Sequence, residues 1–410
     1  MTTSPSKTST NPIKSSLHPL PSALAPNGPT PDTQRPVNSK PRLELIETTS
    51  AFQKLAPHWD QLLAASAVRT PFLRWDWVNL WWKYFQSDHH LLIGAAWGND
   101  GQLLALTPFT IGPGSGTARR NLRHLSLIGG LGEVVAEGLD LLCQPGFEPV
   151  LKDLLDLVFL SSRDRWDTAL FGFMDPQSPY YPILQRALHR HATQAATSNP
   201  QNSPIVRLQD QTWDSYLQQR SINFRKKYRR LVKHSSTAHQ VTFKVAKTPA
   251  DAAQAMGTLM QLHALRWTPD QSLFLRPRTQ AFHQELAALW CPTHRAALLT
   301  LCFDGQPVAA NYAFADGPTL WDYQGGWSPD HIIHSPAKLI MAENLRWALA
   351  HGITACDMLP GDLAYKAKWT GEHRTVVDLI ADNPASLRMK LFHSMRIVKN
   401  TLTALVPKES

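Results

Sequence analysis

An α/β protein of two similar halves, each a mixed sheet flanked by helices, is what the sequence predicts. Three observations lead there. The chain has 410 residues, too long for one ordinary core, and is 43% hydrophobic with 14 Trp and 15 Phe, enough to fill two. Period-2 and period-3.6 apolar patterns alternate along it. A hairpin–strand–helix–strand order occurs twice, with Asp100-Gly101-Gln102 at the first hairpin turn and Asp304-Gly305-Gln306 at the second.

Residues 1–42 come first. They hold nine of the 31 prolines, many Ser and Thr, no aromatic residue and one acid, so they bury too little apolar surface to offset their ordering entropy. A disordered segment is expected there. The first half, 43–200, opens on the strand Leu43-Glu44-Leu45-Ile46 and two helical stretches, 49–65 and 74–86. The run Trp75-Asp76-Trp77-Val78-Asn79-Leu80-Trp81-Trp82 reads as core packing. Strands at 91–97 and 102–110 follow, turned by Asp-Gly, which supplies the positive φ of tight hairpins. Strands near 122–128 and 138–143, a helix at 147–162 and a strand at 167–173 complete this half.

The second half, 201–385, begins with a strand at 204–208, helices at 211–220 and 222–234, and a strand at 240–246. Helices at 249–266 and 278–290 lead to the second hairpin, 296–303 and 307–315. Then come a strand at 319–326, a helix at 335–351 and strands at 353–358 and 375–381. Ser335-Pro336 marks the start of that helix, with Ser at the N-cap and Pro in the first turn. Such a start offers amide donors and positive dipole to a phosphate, and Lys338 adds a charge.

The net charge of +9 is concentrated in two places. Arg220, Arg225, Lys226, Lys227, Arg229, Arg230 and Lys233 form one run without an acid; Arg388, Lys390, Arg396, Lys399 and Lys408 mark a basic amphipathic tail over 386–410. The first run points to an anionic ligand. On a helix Arg225 and Arg229 share a face, as do Lys226 and Arg230. The tail suits either packing onto the domain or loose membrane-surface contact. Cys143, Cys291, Cys302 and Cys356 form no Cys-x-x-Cys pair, and His189 and His191 stand two apart, so no metal is expected. No apolar run reaches the roughly 18–20 residues of a membrane span, and no secretory signal layout begins the chain, so a cytoplasmic setting is expected.

The run "GQPVAANYAFADGPTLWDYQGGWSPDHIIHSPAKLIMAENLRWALAHGITACDMLPGDLAYKAKW" (305–369) resembles the GNAT-type acetyltransferase domain of bacterial polysaccharide and cellulose biosynthesis clusters. That branch is similar to the Fem-type aminoacyltransferases, built from two GNAT-like domains. The matching positions are Ser335, Pro336, Leu339, Asp357, Gly361, Asp362, Tyr365, Lys366 and Trp369. "FRKKYRRLVK" (224–233) and "PFLRWDWVNLWWKYF" (71–85) also look like the family. Where the family often has Gly after Ser-Pro, this chain has Ala337 and then Lys338.

The resemblance implies two tandem GNAT-like domains, the second catalytic. It implies an acyltransferase that moves acetyl from acetyl-CoA, or another acyl from its CoA ester, to a sugar-containing acceptor. In that reading Tyr323, Gln324, Ser335, Ala337, Lys338 and Leu339 hold the donor. Asp362 is the base, Tyr365 the acid and Lys366 an anchor for phosphate or oxyanion. Arg225, Arg229, Asp357 and Trp369 contact substrate. DNA is not an expected partner. Two alternatives stand beside this: a Fem-like enzyme using aminoacyl-tRNA, and a non-catalytic GNAT-fold component of polysaccharide synthesis.

Overall fold

The structure is a computed structural model that describes residues 40–113, 121–130, 132, 134, 136–361 and 363–395. The segment expected to be disordered lies, apart from 40–42, outside the described residues. So do Asp362 and the tail beyond 395.

The first half runs β1 (Arg42–Ile46), α1 (Thr49–Gln53), α2 (Ala56–Ala65) and α3 (Trp75–Phe85). The hairpin β2 (His90–Trp97) and β3 (Leu103–Pro113) follows, then β4 (Arg123–Leu127) and β5 (Leu142–Cys143). Next are α4 (Glu148–Ser161), β6 (Thr168–Met174), α5 (Tyr181–His191) and β7 (Thr193–Arg207). The second half runs α6 (Trp213–Gln218), α7 (Ile222–Ala238), β8 (Val241–Val245), α8 (Pro249–Ala264) and α9 (Pro277–Trp290). Then come β9 (Ala296–Phe303), β10 (Gln306–Asp316), β11 (Thr319–Trp327) and α10 (Pro336–Ala350). The chain continues through β12 (Ala355–Asp357), α11 (Leu363–Lys366), β13 (His373–Asp382) and a helix over 387–395, α12. Both hairpin turns take the expected form, with Gly101 at φ +78° and Gly305 at φ +83°, a region glycine enters without steric cost.

The strands form one sheet in the order β1-β2-β3-β4-β6-β13-β7-β12-β11-β10-β9-β8, with β5 against β3. This order is a near-palindrome. β1 pairs β2 antiparallel as β8 pairs β9; β3 pairs β4 antiparallel as β10 pairs β11; β4 pairs β6 parallel as β11 pairs β12. The two final strands are exchanged. β7 follows β6 but pairs with β12, and β13 follows β12 but pairs with β6. The two meet along the middle of the sheet, from His373 opposite Pro204 to Asp382 opposite Thr193.

α5 and most of β7 are absent from the sequence expectation, which has only 204–208 as strand. The strand TQAATSNPQNSPIVR contains two prolines and few β-branched residues, so its local propensity is poor. Its pairing with β13 overrides that, and irregular register between Val376 and Asp378 accommodates Asn199 and Pro200. The 138–143 strand shortens to two residues, and 363–366 is a helical turn.

One core runs through both halves. Trp77 on α3 packs edge-on against Phe282 of α9 at 5.0 Å and Phe314 of β10 at 5.5 Å. Phe72 meets Trp321 of β11 at 5.8 Å. The aromatic run of α3 is thus core, as its spacing suggested. A second core lies on the other face of the second half, where α10 covers β11 and β12 with Leu345, Trp347, Leu320 and Cys356. All four cysteines are free and buried.

Candidate functional site

The site begins where β11 leaves β12. They pair in parallel only at Thr319–Trp321, although β11 continues to Trp327. On its other side β11 pairs β10 with a register irregularity at Tyr323: Asp322 faces Ala313 and Gln324 faces Tyr312. The bulge bends β11 and re-aims its backbone, and β11 runs on past Asp357, where β12 ends. Gly326 allows α8 to close over the far end, since a Cβ there would come 2.7 Å from the His263 backbone nitrogen. The Tyr323 ring is pinned at 4.8 Å from Phe314, and its hydroxyl lies 3.3 Å from His283 Nε2. Gln324 Oε1 accepts from the Gly325 amide at 3.0 Å. Asn311 Nδ2 donates to Asp322 Oδ1 at 2.7 Å. Desolvation raises the Asp322 pKa, with the Asn311 bond opposing.

A cavity of about 840 Å³ lies between α7 and the start of α10. Arg220, Lys227, Arg230, Lys338, Lys368 and His234 line it, and among the described residues no carboxylate does. Burial, and the neighbouring charges of Lys368 and Lys227, lower the Lys338 pKa. Cations gathered in this way suit an anionic ligand. Ser335 and Trp369 also line the cavity. Ala337 is half-buried beside it, whereas Leu339 is buried in the core beneath α10.

Ser335 departs from the expected cap. It holds the left-handed conformation (φ 41°, ψ 58°), and its side chain makes no capping bond. Pro336 disfavours the right-handed helical region for the residue before it. The Ser335 amide donates to Ile332 O at 3.0 Å, closing the preceding 3-10 turn Pro329–His334.

The turn after β12 is tightly tied. Leu359 has φ +57° and Gly361 φ +132°. Lys366 Nζ donates to Leu359 O at 2.7 Å and Pro360 O at 2.8 Å. Tyr365 donates its hydroxyl to Ala337 O at 2.9 Å, joining α11 to the start of α10. Asp362, the third member of that group, is outside the described residues. Trp369 is buried, its carbonyl accepting from the Tyr216 hydroxyl and Arg220 Nη1, both at 2.7 Å. Arg225 and Arg229 do not line the cavity; Lys227 and Arg230 of the same helix do.

Asp357 is buried at the end of β12. It accepts from Arg374 Nε at 2.5 Å, from the Leu359 amide at 2.8 Å, and from Ser203. Arg374 also lies over Trp321, 5.3 Å from the ring centroid. Both border a second cavity of about 320 Å³ at the junction of the halves, which Arg69, Asp140, Asp175 and Arg207 also line.

One residue here was missed by sequence reasoning. Glu137, from the first-half segment after β4, is 5% exposed, and its Oε2 has no hydrogen-bond partner among the described residues. Burial pushes its carboxyl up to about 8, opposed by the charges of Arg374 and Lys366 and reinforced by Asp357. Its neighbour Gly138 lines the junction cavity. An acid in a Gly-rich stretch (Gly129, Gly130, Gly132, Gly138) was the available signal. Among the described residues no group of three His, Cys, Asp or Glu could hold a metal ion.

Residues 223–367, from α7 through α11, match the acetyltransferase (GNAT) domain family. The second half carries a GNAT-type acetyltransferase domain. That domain marks the chain as a transferase. No curated protein sequence matches the chain. Among solved structures, FemX superposes with a TM-score of 0.54 at 12% identity, over 85% of this chain and 99% of that one. A conserved protein of unknown function from Bacteroides thetaiotaomicron gives 0.51 at 10% identity, over 83% and 100%. At such identity both likenesses concern the fold, and they extend it over both halves.

Proposed function

We propose that the second half transfers an acyl group, acetyl in the simplest case, from coenzyme A to a sugar-containing acceptor of envelope polysaccharide synthesis, in the cytoplasm. The observation that carries this is the cation-lined cavity against the start of α10. A CoA donor would place its phosphates among Lys338, Lys227, Lys368 and Arg230. Its thioester would then lie at the Tyr323–Gln324 bulge, where backbone N–H groups can stabilise the oxyanion. The acceptor would enter from the junction cavity, whose arginines and carboxylates suit a hydroxyl-rich ligand.

In the step itself, the acceptor nitrogen or oxygen attacks the thioester carbon, the C–S bond breaks and CoA leaves as the thiolate. The acceptor's proton goes to a base, for which we propose Glu137, buried next to the junction cavity; a raised pKa fits that role near neutral pH. The thiolate takes a proton from the site or solvent. Lys366 and Tyr365 act as positioning residues, holding the turn after β12 against α10. Glu137 thus joins Asp362, the base that the family resemblance suggests, as a second carboxylate for the proton step.

A second reading, an aminoacyl-tRNA donor, draws on the outer side of α7, where Lys226, Arg229 and Lys233 are exposed. A thermal-shift comparison separates the two. Acetyl-CoA should raise the melting temperature, because a ligand that binds the native state alone stabilises it. Stabilisation by aminoacyl-tRNA alone, falling steeply with salt, would establish the second reading. No shift with any acyl-CoA or aminoacyl-tRNA would leave a non-catalytic component.

A further inference from the structure

No described helix is long and apolar enough to cross a membrane, yet α12 has a face that the protein leaves uncovered. One side is docked. Ser386 caps the helix by accepting from the Met389 amide at 3.0 Å and donates to the buried Asp167 at 2.6 Å. Met389 is buried, and His393 Nε2 lies 2.9 Å from Asp382 Oδ2. The other side carries Leu387, Leu391 and Met395, which are 73%, 63% and 64% exposed. They are four residues apart, so they form one stripe. Exposed leucines occur singly on many surfaces, but a run aligned along one helix face is an interaction surface.

The sequence indicates what covers it. Lys390 and Arg388, the latter 3.9 Å from Asp167, belong to the same helix, and the sequence has no acid between 387 and 408 while it adds Arg396, Lys399 and Lys408. We propose that this C-terminal helix rests the enzyme on the surface of an anionic lipid bilayer, the stripe entering the headgroup–acyl boundary and the cations meeting lipid phosphates. Three arguments favour lipid over other occupants. A nucleic acid would use the cations but leave the leucines in water. A second copy of this chain would bring two basic flanks together. The docked side fixes the helix along the protein surface, so it can lie in an interface.

The test is co-sedimentation of the full chain with vesicles of phosphatidylcholine alone and of phosphatidylcholine mixed with phosphatidylglycerol. The mixed vesicles should bind it, the neutral ones much less, and salt should weaken binding. Leu391→Glu replaces an exposed side chain, so melting should be unchanged while partitioning falls about tenfold or more. Leu391→Ser gives a smaller drop in the same direction without adding charge. The proposal is overturned if the wild type ignores the mixed vesicles, or if both variants bind them as well as the wild type does. It is also overturned if the wild type is a dimer that Leu391→Glu dissociates with no accompanying loss of vesicle binding.

Discussion

In the first half the helix between β4 and β6, α4, opens at Phe147 with Glu148 in its first turn. In the second half its counterpart α10 opens at Ser335 with Pro336 and then Lys338. The strands before them differ as well: β4 has five residues, whereas β11 has nine and a bulge. The same architecture therefore presents an acid at one helix start, and a lysine lining a cavity at the other. An anion is repelled by the first and drawn to the second. The segment after β4 instead crosses to the junction and brings Glu137 toward Arg374 and Asp357. Duplication of a fold does not duplicate its site. In the proposed reading one half holds the donor's phosphates with its cations, and the other lends an acid.

The sharpest break of that comparison is Glu137→Gln. Turnover should fall roughly 10²–10⁴-fold, the range for losing a general base, with acetyl-CoA affinity retained. The same variant reports on stability. The Glu137 carboxyl is raised from 4.5 to about 8 in the fold, so the unfolded chain binds fewer protons in that window. Its contribution is fully present below about 4.5 and is lost as pH rises through 8. Glu137→Gln should therefore gain melting temperature over the wild type across that interval, and the gap should stop growing above it. A gap that does not change with pH would remove the buried-acid account.

Next in size is Asp357→Ala, which leaves Arg374 partly buried without its carboxylate. A loss of about 3–5 kcal/mol is expected for breaking a buried pair, measurable by denaturant unfolding; a loss below about 1 kcal/mol would mean the pair behaves like a surface one. Lys338→Glu should cost the donor on the order of tenfold in affinity with little change in melting, since a helix-start charge acts on the ligand more than on the fold. The smallest effect belongs to its first-half counterpart. Glu148→Lys should leave donor affinity unchanged, and a gain in affinity or in stoichiometry would show a latent second site.

Much of this was legible in the chain. The Asp-Gly turns fixed both hairpins, and Ser335-Pro336 located the start of α10. Ser335's left-handed backbone was not legible, because it depends on the 3-10 turn behind it. α5 and β7 escaped because TQAATSNPQNSP is a strand only through β13, almost two hundred residues away in sequence. The strand exchange is invisible for the same reason. On α7 the helical spacing of the cations was legible, but which of them line the cavity was not: Lys227 and Arg230 do and Arg225 and Arg229 do not, a choice made by packing of Phe224, Tyr228 and Leu231. Glu137 could not be placed from local pattern, since its neighbours come from the other half.

The central claim is a single donor site, in the second half. Calorimetric titration of acetyl-CoA into the full chain, into Lys338→Glu and into Glu148→Lys tests it most directly. The account predicts one site per chain, weakened on the order of tenfold by Lys338→Glu and untouched by Glu148→Lys. Two equivalent sites, or one site that responds to Glu148→Lys and not to Lys338→Glu, would contradict it.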